Sequence, residues 1–160
     1  MGKNRLVHIL MGSKSDLETA KKVQAALASL GIESRMHVAS AHKTPSSVLE
    51  IIAAIEKESK NKKIVIVAVV GMSNALSGML AGASTLPIVT LPNSENDHDV
   101  FSCLRMPSGI SHMTILGAEN AALSAVKILA LRDAALARKI AEYQEKNAEK
   151  VRSADKGLGN

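Results

Sequence analysis

The sequence predicts an α/β protein: a three-layer αβα sandwich on a doubly wound parallel sheet, with an extra C-terminal helix. Three observations predict it. Short β-rich runs alternate with stretches of helical periodicity, the pattern of βαβ units. Residues 64–70 (IVIVAVV) are continuously apolar and almost all β-branched, as a strand covered on both faces must be. The chain has 160 residues, 46% of them hydrophobic, enough for one domain with a sizeable core.

The elements follow in order. Arg5–Met11 reads as a strand rich in Leu, Val and Ile, and Gly12-Ser13-Lys14-Ser15-Asp16 breaks it. Leu17, Ala20, Val23, Leu27 and Leu30 then fall at helical spacing. Ser15 or Asp16 is the expected N-cap and Gly31 the expected C′ residue. Residues 34–39 form a second short strand, and Ser40-Ala41-His42-Lys43 a loop. Thr44 is expected to cap a helix with Pro45 at its first position. That helix carries Val48, Leu49, Ile51, Ile52 and Ile55 and ends in a solvated run at 57–63.

After the strand at 64–70, Gly71-Met72-Ser73-Asn74 makes a break. Residues 75–83 are small and apolar, and Gly78 and Gly82 allow close approach by other groups. A fourth strand is expected at 87–91, a polar loop at 93–99, and a short helix at 100–105 stopped by Pro107. A fifth strand at 112–116 and an alanine-rich helix at 118–131 complete the domain. Crossovers make the strands parallel, and the expected order is the flavodoxin-like 2-1-3-4-5.

Residues 1–131 therefore read as one α/β domain and 132–160 as a C-terminal helix and tail. In that helix, at 132–152, Leu136, Ile140 and Tyr143 form one stripe, with Glu142 and Lys146 paired on the exposed side. It either lies back on its own domain or reaches a neighbouring subunit, and the assembly role is the expectation. The tail at 153–160 is expected to fray.

Composition narrows the function. The longest apolar run, 64–71, is less than half the ~20 residues of a membrane span. The start, MGKNRLVHIL, has no long apolar core of a signal peptide and no serine or threonine where a myristoylation signal wants it. Cys103 is the only cysteine, which excludes an intrachain disulfide and cysteine-rich metal sites and fits a cytoplasmic location. The net charge of +5 would suit nucleic acid, but the basic residues are scattered. The only aromatics, Phe101 and Tyr143, make no stacking platform. A small anionic substrate is expected, with neither nucleic acid nor membrane as partner.

In an open parallel sheet, ligands bind at the C-terminal ends of the strands, near the switch in strand order. That selects three loops. In the first, Gly12 permits unusual backbone angles, Ser13 and Ser15 offer hydroxyls, and the following helix offers free N–H groups for a phosphate. Asp16 has the wrong sign for phosphate but suits two sugar hydroxyls. An ordinary capped turn would look the same. In the second, His42 can accept and return a proton near neutral pH, and Lys43 can pair with an anion. In the third, backbone N–H groups with Ser73 and Asn74 could hold a carboxylate or a sugar phosphate. His8 and His37 lie within strands, His112 begins one and His98 sits in a polar loop; none has metal-ligand spacing, and no metal is expected. Cys103 reads as a packing residue, and Ser13 lacks the elbow motif of a hydrolase nucleophile.

Together, Met11-Gly12-Ser13-Lys14-Ser15-Asp16, Ser40-Ala41-His42-Lys43-Thr44-Pro45, Gly71-Met72-Ser73-Asn74 and Arg105-Met106-Pro107-Ser108-Gly109-Ile110 resemble the PurE family of purine biosynthesis, in order and spacing from about Leu6 to Leu131. The resemblance implies reversible carboxylation of 5-aminoimidazole ribonucleotide at C4 with CO2. It implies that Ser13, Asp16, Ser40 and Lys43 bind the ribonucleotide, that Gly71 and Ser73 line the site, and that His42 shuttles the proton. Gly12, Ser15, Ala41 and Asn74 are further candidates. It also implies an octamer whose C-terminal helix packs on a neighbour, and no ATP, biotin or metal.

Lys43, the Gly71–Asn74 loop and Leu104-Arg105-Met106-Pro107-Ser108-Gly109 are similar to the branch that uses free CO2. Thr44-Pro45 and Gly78-Met79 are similar to the mutase branch, which moves a carboxylate from nitrogen to carbon of the N5-carboxy isomer. The mutase remains an alternative, as does a non-catalytic ribonucleotide-binding module. A phosphorelay receiver would need an acidic residue ending the third strand, where Val69-Val70-Gly71 stands. A flavodoxin would need aromatics near the first loops.

Overall fold

The computed structural model describes residues 4–93 and 97–158. The reading of residues 1–3, part of the polar loop at 93–99 and the end of the tail fall outside them. Five strands run β1 (Arg5–Met11), β2 (Glu33–Val38), β3 (Lys63–Val70), β4 (Ile88–Pro92) and β5 (Met113–Thr114). The helices are α1 (Leu17–Ser29), α2 (Pro45–Ser59), α3 (Leu76–Ala83), α4 (Asp97–Phe101), α5 (Ala118–Ala130) and α6 (Ala134–Leu158). All strand pairs are parallel, in the order β2-β1-β3-β4-β5. This is the predicted doubly wound sandwich.

Alternation along the central strands sorts the core into two layers. Val7, Ile9 and Met11 of β1, with Val65, Val67 and Val69 of β3, face α1, α5 and the start of α6. Leu6 and Leu10, with Ile64, Ile66, Ala68 and Val70, face α2 and α3. Both strands are therefore buried along almost their whole length, whereas edge strand β2 is half-exposed. Gly31 ends α1 with φ +75, where the N–H of Ile32 reaches the carbonyl of Leu27 and that of Gly31 reaches Ala28.

Several local expectations are corrected. Asp16 does stand at the N-cap position of α1, but its side chain caps no helix N–H; the capping side chain is Ser13, with extended backbone, on the 3-10 turn at Lys14–Asp16 that precedes α1. The short helix lies earlier, at Asp97–Phe101; Cys103 and Leu104 follow it in tight turns to Val100 and Phe101. The last strand is only Met113–Thr114, and His112 precedes it. Residues 131–133 interrupt the C-terminal helix, because the Asp133 carboxylate accepts the Leu136 N–H and caps a new helix. That helix runs on to Leu158, through the segment expected to fray.

Leu136 and Ile140 are buried in the α1/α5 layer of their own chain, and Tyr143 packs beside them. The first half of α6 thus lies back on its domain. No helix among the described residues is long and apolar enough to cross a membrane.

Candidate active site

The loops after β1, β2 and β3 meet in one cleft of about 220 Å³ at the C-terminal edge of the sheet. Every sequence-selected residue lines it: Gly12, Ser13, Ser15 and Asp16; Ser40, Ala41, His42 and Lys43; Gly71, Ser73 and Asn74. A larger groove, about 870 Å³, lies between α1, α5 and α6. Its lining includes Lys22, Tyr143, Asn147 and Lys150 and none of the three loops, so the smaller cleft is the chemical candidate.

The first loop is a capping box. The Ser15 N–H donates to Ser13 Oγ at 3.0 Å, and the Ser13 N–H donates to Asp16 Oδ2 at 3.0 Å. Asp16 is nearly buried, and Asn93 Nδ2 donates to its Oδ1 at 2.9 Å. The two serine hydroxyls share a 2.6 Å hydrogen bond.

The second loop is pinned at its base. The Thr44 N–H donates to the Ser40 carbonyl at 2.8 Å, and the Ser40 N–H donates to Thr44 Oγ1 at 3.0 Å. The Lys43 N–H donates to Ser40 Oγ at 3.2 Å. Thr44 therefore braces the loop; it stands at the expected N-cap position with Pro45 opening α2, but, against expectation, its side chain caps no α2 N–H. His42 and Lys43 are exposed at the tip, and no hydrogen bond holds the His42 ring among the described residues.

The third loop turns through Met72, whose φ of 52 lies in the left-handed region that non-glycine residues avoid. Ser102 holds it. Its hydroxyl lies 3.0 Å from the Met72 carbonyl and 2.7 Å from that of Asp99, and its oxygen accepts the Asn74 N–H at 3.0 Å. The Asn74 side chain also builds the loop: its Oδ1 accepts the Ser77 N–H at the start of α3. The N–H groups of Met72 and Ser73 find no acceptor among the described residues. Burial raises the Cys103 thiol pKa, against a nucleophilic role.

Gly78 and Gly82 do allow close approach. A Cβ on Gly78 would stand 3.0 Å from Met106 Sδ, and one on Gly82 would stand 3.2 Å from Ile110 Cδ1. The segment carrying the last family-like motif is thereby laid against α3, directly behind the third loop.

The sequence profile of the family described as AIR carboxylase matches residues 6–150. The chain belongs to this family. The AIR carboxylase profile runs beyond residue 131 and takes in most of α6. A phosphoribosylaminoimidazole carboxylase of Archaeoglobus fulgidus is 45% identical over 94% of this chain and 83% of that protein. An N5-carboxyaminoimidazole ribonucleotide mutase of Methanocaldococcus jannaschii is 38% identical over 94% of this chain and 95% of its own length. The crystal structure of Treponema denticola PurE matches with a TM-score of 0.93 and 36% identity, over 98% of this chain and 100% of that one. The AIR carboxylase motifs were legible in sequence, but the supports of the cleft were not. Asn93, Thr19, Thr44 and Ser102 look like ordinary polar residues until the fold brings them to these loops.

Proposed function

We propose that this protein is an enzyme of purine biosynthesis that carboxylates 5-aminoimidazole ribonucleotide reversibly at C4 with CO2. One observation carries the reading: in a member of this family, a histidine, a lysine and a hydroxyl-rich capping box converge in one cleft at the strand ends. Lys43 pairs with the phosphate of the ribonucleotide, and Ser13, Asp16 and Ser40 bind its phosphate and ribose. Gly71 and Ser73 line the ring end, where the N–H groups of Met72 and Ser73, without an acceptor among the described residues, suit the new carboxylate.

The chemistry needs little from outside. The aminoimidazole ring is an enamine, so its C4 attacks the carbon of CO2 and forms the C–C bond. C4 then carries both hydrogen and carboxylate. His42 takes that proton, the C–H electron pair restores the aromatic ring, and the proton passes to water. In reverse, His42 protonates C4 and CO2 leaves. This route uses no ATP, biotin or metal. The single thiol and this metabolic role support a cytoplasmic location. We also assign it a homo-oligomeric state, an octamer by family resemblance, in which the outer half of α6 meets a neighbour.

The mutase reading is kept because a relative bearing that name is 38% identical over nearly the whole chain. Supplying purified enzyme with aminoimidazole ribonucleotide at varied CO2, and separately with the N5-carboxy isomer in CO2-free buffer, distinguishes the two. Saturable carboxylation in the first arm with little conversion in the second is expected. Efficient conversion of the isomer would make the enzyme a mutase. Ribonucleotide binding without turnover in either arm would leave a binding module.

A further inference from the structure

We propose that Asn93 is a positioning residue that aims the Asp16 carboxylate at the substrate, an inference that rests on reading the cleft as the ribonucleotide site. Asn93 follows β4, and three hydrogen bonds fix it. Its N–H donates to the Val70 carbonyl at 2.6 Å, which sets it beside the end of β3. Its Nδ2 donates to Asp16 Oδ1 at 2.9 Å, and its Oδ1 accepts from Thr19 Oγ1 at 2.5 Å. The carboxylate can only accept, so the amide nitrogen must face Asp16, and the Thr19 hydroxyl locks the amide in that orientation.

Asp16 is only 7% exposed, and a carboxylate so enclosed needs fixed donors. Among the described residues it has one donor on each oxygen: the Ser13 N–H on Oδ2 and Asn93 on Oδ1. Each oxygen therefore retains room for another hydrogen bond, and two adjacent sugar hydroxyls would supply two. The Ser13 contact is local, within the capping box, and leaves the carboxylate plane free to rotate about it. Asn93 is the long-range contact that stops the rotation. Because Asn93 also holds Val70, it ties the first loop to the base of the third, so the ribose anchor and the ring pocket keep one spacing.

The test is kinetic, on the full chain with aminoimidazole ribonucleotide. Asn93→Ala should raise KM about tenfold, the size of one lost hydrogen bond to a charged group, with kcat changed by less than about twofold. Asn93→Asp should raise KM further, because a second carboxylate then faces Asp16. Thr19→Val, which frees the Asn93 amide without touching Asp16, should raise KM less than Asn93→Ala.

The deciding comparison adds Asp16→Asn: once the carboxylate is gone, Asn93→Ala should cost little more. A residue that merely stabilised the fold would lower thermal stability alike in both backgrounds and leave KM alone. Unchanged KM in the Asn93 variants, or fully additive losses with Asp16→Asn, would overturn the proposal while the carboxylase reading stood. If Asn93→Ala does not fold, Asn93→Asp and Thr19→Val make the same comparison. A wild-type enzyme inactive toward the ribonucleotide in every arm would remove the site reading, and Asn93 with it.

Discussion

His42 stands at the tip of a turn that Ser40 and Thr44 hold from below, so the ring lines the cleft with no hydrogen bond to its nitrogens among the described residues. His42→Asn should leave ribonucleotide binding nearly intact and cut turnover by ~10² or more, the usual range for a general acid–base group. An unaltered kcat would remove it from the mechanism. The contrast is His8, buried in β1, whose Nδ1 lies 2.9 Å from His37 Nε2 on β2. Its Nε2 is 3.3 Å from Glu58 Oε2 of α2, a charge contact outside hydrogen-bond geometry. Burial first, then His37 and Arg35, push its pKa from 6.5 down to about 4, against the pull of Glu58. The unfolded chain therefore takes up this proton before the folded one does. The stability from a neutral His8 is complete above about pH 6.5 and is lost as the pH falls toward 4, by at most about 3 kcal/mol. Urea midpoints should drop between pH 7.5 and pH 5, and His8→Phe should flatten that slope; an equally steep slope in the variant would assign the effect to other groups.

Among the elements, α6 carries two different duties along its length. Its first three turns belong to the core, with Leu136 and Ile140 buried against α1 and α5. Its second half is charged and largely exposed. Removing all of 132–160 would therefore open the core as well as any contact with a neighbour. Two separate variants divide the duties. Leu136→Ala should cost about 2–5 kcal/mol in chemical denaturation, as for a fully buried leucine. A chain ending after Tyr143 should keep most of its stability but sediment as a smaller species. Full-size assemblies from the shortened chain would move the subunit contact elsewhere, for instance to the exposed Phe101, Leu104 and Leu116 near the short edge strand β5.

For the molecule as a whole, sequence patterns long enough to repeat determined the outcome. Alternating apolar runs and helical stripes gave the parallel sheet, its order and both covering layers, because burial on two faces leaves an unbroken record in β1 and β3. The rule that ligands sit at strand ends picked the three loops, and glycine, serine and histidine there were visible without coordinates. Short elements were less legible. α4 and β5 span only five and two residues, too few for periodicity to outweigh local turns. The helix restart at Ala134 depended on one side chain, Asp133, choosing a backbone N–H. The remaining decisions were tertiary by nature. Thr19, Asn93 and Asp16 are up to 77 residues apart in sequence, and Ser102 lies 30 residues from Met72. No local pattern encodes such pairs, since each side chain gains its partner only when separate strand ends are brought side by side. The sequence by itself determined which loops form the cleft; the tertiary structure decided which residues hold those loops in place, because those hydrogen bonds exist only between segments that folding has already joined.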